Sequence, residues 1–212
     1  MKRAFYLRNI SKHEHIYASS IRPLKNELLR MKTLILLICT SIFVTQTMVA
    51  QRYVSKNTKM NIYSYTPLET IDATNSQAVS IMDLTTGDIQ FSLLIKSFEF
   101  KRELMEEHFN ENYMESDIYP KAGFKGKLSG LENVNLKKDG SYLVDVSGDL
   151  TIHGVTKAFS TAATLEVKKG TITGKSSFVI LPEDYNIAIP DLVKDKIAKE
   201  ITVTIEAPYQ EN

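Results

Sequence analysis

The chain has 212 residues, 43% of them apolar and 24% charged, with a formal net charge of +1. That composition is ordinary for a globular protein with a real core, and it excludes a low-complexity or disordered chain. The single cysteine, Cys39, excludes an internal disulfide.

The first fifty residues stand apart from the rest. Met31-Lys32 is a short basic start, Leu34 to Val44 is an eleven-residue apolar run, and Thr45 to Ala50 is a more polar exit ending in a small residue. This is the three-part layout of a signal peptide. The run is shorter than the roughly 20 residues a membrane-spanning helix needs. Residues 31–50 are therefore read as a signal peptide cut after Ala50, although Met48 is bulky for the third position before the cut. Cys39 follows Ile38 inside the run, which is not where a lipidated cysteine sits. Residues 1–30 carry seven Lys or Arg and two acids. They are read as an over-extended start ahead of Met31, or else as a long basic leader, and residues 1–50 are left out of the fold.

Residues 51–212 keep 18 of the 26 Lys and Arg but 23 of the 25 acids, a net charge of −5. No basic patch remains for a nucleic acid. His13, Glu14 and His15 resemble a metal cluster but fall in the excluded segment, so no metal site and no cofactor is expected. Only His108 and His153 remain, without a metal motif.

Val54, Met60, Ile62, Tyr63 and Tyr65 mark a weak strand over 52–66, which Pro67 ends. Leu68 to Ala73 is a second extended piece, Thr74 to Gln77 a polar loop, and Val79 to Leu84 a third strand before a turn at Thr85 to Asp88. Ile89 to Ile95 alternates with Phe91, Leu93 and Ile95 on one face. Phe98 and Phe100 then fall on the opposite parity. A β-bulge near Lys96-Ser97 would return both to the core. From Glu103 to Tyr113 the period changes. Leu104 and His108, then Met105, Phe109 and Tyr113, recur at i+4, against Glu106, Glu107, Asn110 and Glu111. This predicts a short amphipathic helix.

Tyr119-Pro120 leads into a strand with Phe124, Gly126 and Leu128. Gly130 to Asn135 reads as a turn and Lys137 to Gly140 as a hairpin loop with Asp-Gly at its tip. Tyr142, Val144, Val146, Gly148, Leu150 and Ile152 then alternate with polar residues up to His153-Gly154. Phe159, Thr161, Ala163, Leu165 and Val167 do the same beyond it. Alternation on both sides of a glycine break predicts a β-hairpin. Ile172, Gly174, Ser176, Phe178 and Ile180 share one face of the next strand. Pro182 to Pro190 reads as irregular, and Asp191 to Ala198 as a helical turn with Leu192, Val193 and Ile197 inward. The last strand, 201–207, turns Ile201, Val203 and Ile205 inward. Eight or nine short strands with one helix predict an all-β sandwich or closed barrel.

No HExxH, GxSxG, Walker or CxxC pattern occurs in residues 51–212. His153 has Asp149 and Thr151 near it, but strand alternation accounts for both. It is read as a turn histidine bonding backbone, and no catalytic residue and no enzyme activity are expected.

The string GDLTIHGVTKAF at 148–159 resembles the strand-turn-strand signature of the YceI-like family. The order strand, short helix and Tyr-Pro over 97–126 and the strand at 201–207 resemble it too. The resemblance implies an antiparallel eight-stranded lipocalin-like β-barrel with one short helix, around an elongated apolar tunnel. It further implies a periplasmic or secreted carrier of an isoprenoid or other long-chain lipid, a tendency to form homodimers, and no integral membrane segment once a signal is cut. The family's usual Arg-Asp pair near the helix reads Lys101-Arg102-Glu103 here. Inward small residues at Gly126, Gly148, Thr161, Ala163, Gly174 and Ser176 favour a lined cavity, with a filled core as the alternative. Parity and the helix stripe then name the expected lining: Phe91, Leu93, Phe98, Phe100, Leu104, Met105, Phe109, Phe124, Leu150, Ile152, Phe178 and Ile180. The competing reading is an envelope stress or interaction scaffold with a filled barrel and no ligand.

Overall fold

Period-2 alternation dominates residues 51–212, and strands are what it produces. The computed structural model describes residues 51–211, so the leader and signal readings of residues 1–50 lie outside the described residues. The strands are β1 (Arg52–Tyr65), β2 (Thr70–Asp83), β3 (Asp88–Leu94), β4 (Phe98–Phe100), β5 (Lys121–Ser129), β6 (Gly140–Ile152), β7 (Val155–Lys168), β8 (Thr171–Ile180) and β9 (Ile201–Glu211). All pairings are antiparallel. Neighbours run β1-β9-β8-β7-β6-β5-β3-β2, and β2 returns to β1, so the sheet closes on itself. Short β4 also pairs with β2, further along the same strand as β3. Together β3 and β4 fill one place, and the result is the expected eight-stranded barrel.

The parity slip between β3 and β4 is resolved by a 3₁₀ turn at Ile95–Ser97 rather than a one-residue bulge. Ile95 and Phe98, three residues apart, are 2% and 4% exposed. A turn with three residues per revolution carries both to the same side. The turn is anchored by the Ile95 N–H, which donates to the Pro120 carbonyl at 2.9 Å.

Three expectations are corrected. The polar stretch Thr74–Gln77 is no loop but the middle of β2. Asn75 is fully buried there, its Nδ2 donating to the Leu94 carbonyl at 2.9 Å and its Oδ1 accepting from the Gln77 N–H. A satisfied buried amide can sit in a strand that a hydropathy pattern would break. Strand β9 continues through Pro208 to Glu211. The connection from β5 to β6 is a longer loop containing a 3₁₀ turn at Leu131–Asn133, and Asp139 instead caps the neighbouring turn, its Oδ1 accepting from the Lys169 N–H.

The helix forms where the i+4 pattern places it. Helix α1 (Glu103–His108) runs on into a π-helical turn at Phe109–Tyr113. Phe109 packs on Phe98 and Phe100, with ring centroids 5.5 and 4.9 Å apart. The Glu106 carboxylate accepts the Phe100 N–H, tying helix to strand. No described helix is long and apolar enough to cross a membrane.

The barrel wall is not uniformly stitched. Strands β7 and β8 pair only over Thr164–Lys168 against Thr171–Lys175. Past that point the last tie is the Ser176 hydroxyl, which donates to the Ala162 carbonyl at 2.8 Å. Phe159 and Phe178 then meet edge to face, 4.8 Å apart, on the inside of the seam. The turn at Pro182–Tyr185 closes its wide end, with Asp184 paired to Lys157 of β7.

Candidate functional site, an apolar cavity in the barrel

The inward side chains form two separate packed groups, and they fill the barrel unequally. One end is closely packed. Tyr53, Met82, Leu128, Val144, Val146, Leu165, Ile172, Ala207 and Tyr209 pack there into one cluster. The other end carries Leu93, Ile95, Phe98, Met114, Leu150, Ile152, Tyr185 and Ile187, and a cavity of about 530 Å³ runs from there inward to Met82, Leu128, Leu165 and Tyr209 of the first cluster. The barrel is therefore lined rather than filled, with closer packing toward one end.

All twelve residues expected from parity border the cavity. Phe91, Leu93, Phe98 and Phe100 come from β3 and β4. Leu104, Met105 and Phe109 come from the helix, Phe124 from β5, Leu150 and Ile152 from β6, and Phe178 and Ile180 from β8. Leu104 is 61% exposed and stands at the mouth. The rest of the wall was missed. Met60 and Ile62 of β1 and Ile187 and Ile189 of the β8–β9 connection also line it. Ile187 and Ile189 do alternate, but the two flanking prolines masked the pattern. Leu192, expected inward, is 92% exposed, whereas Val193 and Ile197 do reach the cavity.

The small residues divide by cause. Thr161, Ala163, Gly174 and Ser176 border the cavity. Gly126 and Gly148 do not. They face each other across β5 and β6, and a Cβ on either would run into the opposite backbone. Their smallness lets two strands approach rather than opening space.

Polar groups sit at two depths. Deep inside, the Ser80 and Tyr209 hydroxyls are 2.6 Å apart. Burial pushes the Tyr209 phenol up to about 12, partly offset by the Ser80 hydrogen bond, so it stays neutral at ordinary pH. At the mouth, Arg102 Nη2 donates to Glu69 Oε1 at 2.7 Å. That hydrogen bond holds the Glu69 carboxyl below its ordinary value, with further help from the charge of Lys196. Arg102 precedes α1, Glu69 closes the turn from β1 to β2, and Lys196 lies in the β8–β9 connection. That connection is pinned to β1 by the Ala198 N–H, which donates to Ser64 Oγ at 2.9 Å.

His153 does not face a nucleophile. Its backbone is left-handed, with φ of 49°. Its Nδ1 lies 3.1 Å from the Tyr185 carbonyl and its Nε2 2.8 Å from Glu115 Oε2. Tyr119 covers it from one side, with ring centroids 4.5 Å apart. The histidine thus joins the β6–β7 turn to the segments before β5 and after β8. Among the described residues no group of three His, Cys, Asp or Glu is arranged to hold a metal ion.

A family model described as the YceI-like domain matches residues 46–209. No curated protein matches the chain. Among solved structures, the chain is similar to a polyisoprenoid binding domain from Saccharophagus degradans implicated in plant cell wall breakdown. That match has a TM-score of 0.67 and 16% identity, and covers 77% of this chain and 99% of that one. It is also similar to BcnA of Burkholderia cenocepacia, with a TM-score of 0.59 and 15% identity over 72% of this chain and 96% of that one. A YCEI protein of Campylobacter jejuni follows, with a TM-score of 0.53 and 17% identity over 66% and 85% of the two chains. At such identities the likeness is one of fold.

Proposed function

The chain belongs to the YceI-like domain family, and from that premise we propose that it is a binding protein for a single long apolar chain, isoprenoid or fatty, held in the barrel cavity. The observation that carries this is the cavity itself. About 530 Å³ of space is walled by phenylalanines, methionines and branched aliphatic residues, and its mouth is exposed at Leu104. Pockets of this size and lining suit small apolar ligands. Aromatic rings supply large apolar area and methionine adapts to a flexible chain. Each methylene buried gains about 0.8 kcal/mol, so a long tail is held without a charged contact. The polyisoprenoid binding domain with the same fold supports the isoprenoid choice. The twelve parity residues are the contact set.

The signal layout of residues 31–50 supports export, giving a periplasmic or secreted protein without enzymatic activity. N-terminal sequencing of native protein should begin near Gln51; a start at Met1 or Met31 would refute export. The binding reading is tested by native mass spectrometry of protein purified from its host. A co-purifying long-chain mass supports it. A bare protein that also fails to displace a fluorescent fatty or isoprenoid probe refutes it.

A further inference from the structure

Charge at the mouth is unbalanced, and this narrows the kind of chain the cavity takes. The charged residues bordering the cavity are Glu69, Arg102, Lys175 and Lys196, with His108 beside them on the helix. Lys175 is paired with Glu166 on the outer face of β7, 2.7 Å away. Glu69 is paired with Arg102. Lys196 has no ion-pair partner among the described residues, and its charge acts on the Glu69 carboxylate. The mouth therefore holds two cations around one carboxylate. None of the helix acids Glu103, Glu106, Glu107 and Glu111 borders the cavity, and Glu106 is turned to the Phe100 N–H. Lys101 is engaged with Asp72.

Arg102 also keeps donors in reserve. Its Nη2 serves Glu69 and the Met105 sulfur, leaving Nε and Nη1 without a protein partner among the described residues. A guanidinium offers five N–H donors in a planar fork suited to carboxylates and phosphates. Lys196, on the β8–β9 connection, adds a point charge at the cavity.

We propose that the ligand is an anionic amphiphile, its carboxylate or phosphate head held at the mouth by Lys196 and Arg102 while its tail fills the cavity. This rests on the binding reading above and adds the head to it. Glu69 orients Arg102 and, by repelling a second carboxylate, places the head toward Lys196. A neutral alcohol or ester gains nothing there, and an amine meets two like charges.

The test uses the chain from Gln51 to Asn212 as purified after export, titrated with palmitate, hexadecyl phosphate, methyl palmitate, hexadecanol and hexadecylamine by probe displacement. At low salt the two anions should bind about tenfold more tightly than the alcohol and the ester, the gain expected of a charge-assisted hydrogen bond at a half-wet site. That ratio should shrink as salt rises. Lys196→Gln, at an exposed loop position, should bring the acid-to-alcohol ratio close to one. Palmitate against hexadecyl phosphate tells whether the head is carboxylate or phosphate. Equal binding of acid and alcohol, tightest binding of the amine, or an unchanged ratio in Lys196→Gln would each overturn the anionic head while leaving an apolar carrier standing. No binding of any of the five would overturn the carrier and the head together.

Discussion

Ala163→Phe places a ring where the closely packed cluster borders the barrel cavity. Ala163 pairs with Val144 across β6 and β7, packs against that cluster, and borders the cavity. In a filled core the added ring would cost about 1–3 kcal/mol of strain. Here it has empty space to enter, so the melting temperature should change little. Binding should suffer instead. The ring takes the room of about four methylenes of a bound chain, and at ~0.8 kcal/mol each the loss is about 3 kcal/mol. That is more than a hundredfold in Kd. The assay is displacement of a fluorescent fatty or isoprenoid probe, with circular dichroism and thermal melting as fold controls. A variant that melts like the parent and binds with unchanged affinity would show that no chain lies along this part of the wall, and the cavity reading would fall.

Phe98→Ala removes a ring that is 4% exposed and packed on Phe109. It should destabilise the protein by about 3 kcal/mol in denaturant melts, near the low end for Phe→Ala because the void opens into existing space. Gly154→Ala should cost at least about 1 kcal/mol, since φ is +73° and the new Cβ would lie 2.5 Å from the Tyr119 ring; a melt unchanged from the parent would contradict this. Tyr209 has a folded pKa of about 12 against an ordinary 10.0. Its neutral form is favoured on folding, so this stability is fully present below pH 10 and is lost as pH rises toward 12. The two-unit gap corresponds to about 3 kcal/mol. Tyr209→Phe should flatten the alkaline decline in stability, measured by urea melts at pH 9 and 11.

Much of the barrel was legible because inward and outward residues of β6, β7 and β8 alternate without a break. Helix α1 was legible because its spacing changes to i+4. What stayed hidden depends on contacts between residues far apart in sequence. Asn75 looks like a loop residue until the Leu94 carbonyl, 19 residues on, is seen to accept its amide. Tyr209 lies past a proline, and only Ser80 on β2 gives its hydroxyl a purpose. Arg102, Glu69 and Lys196 come from three separate connections, and no local pattern links them. Gly126 and Gly148 carried the opposite fault: parity alone cannot tell a glycine that opens space from one that lets two backbones touch.

A closed barrel behaves like a hoop. Its girth is fixed by hydrogen bonds around the whole circumference, and widening it means breaking them. The seam between β7 and β8 removes that constraint from one end only. Where Thr164–Lys168 meets Thr171–Lys175 the hoop is tied, and the closely packed cluster sits inside it. Beyond the Ser176–Ala162 tie, the Phe159–Phe178 contact and the turn held by Lys157 and Asp184 span the gap. Girth there can grow by sliding side chains, with no ladder bond lost. The untied end is thus the compliant end. Its girth can adjust while the tied end keeps the register of all eight positions.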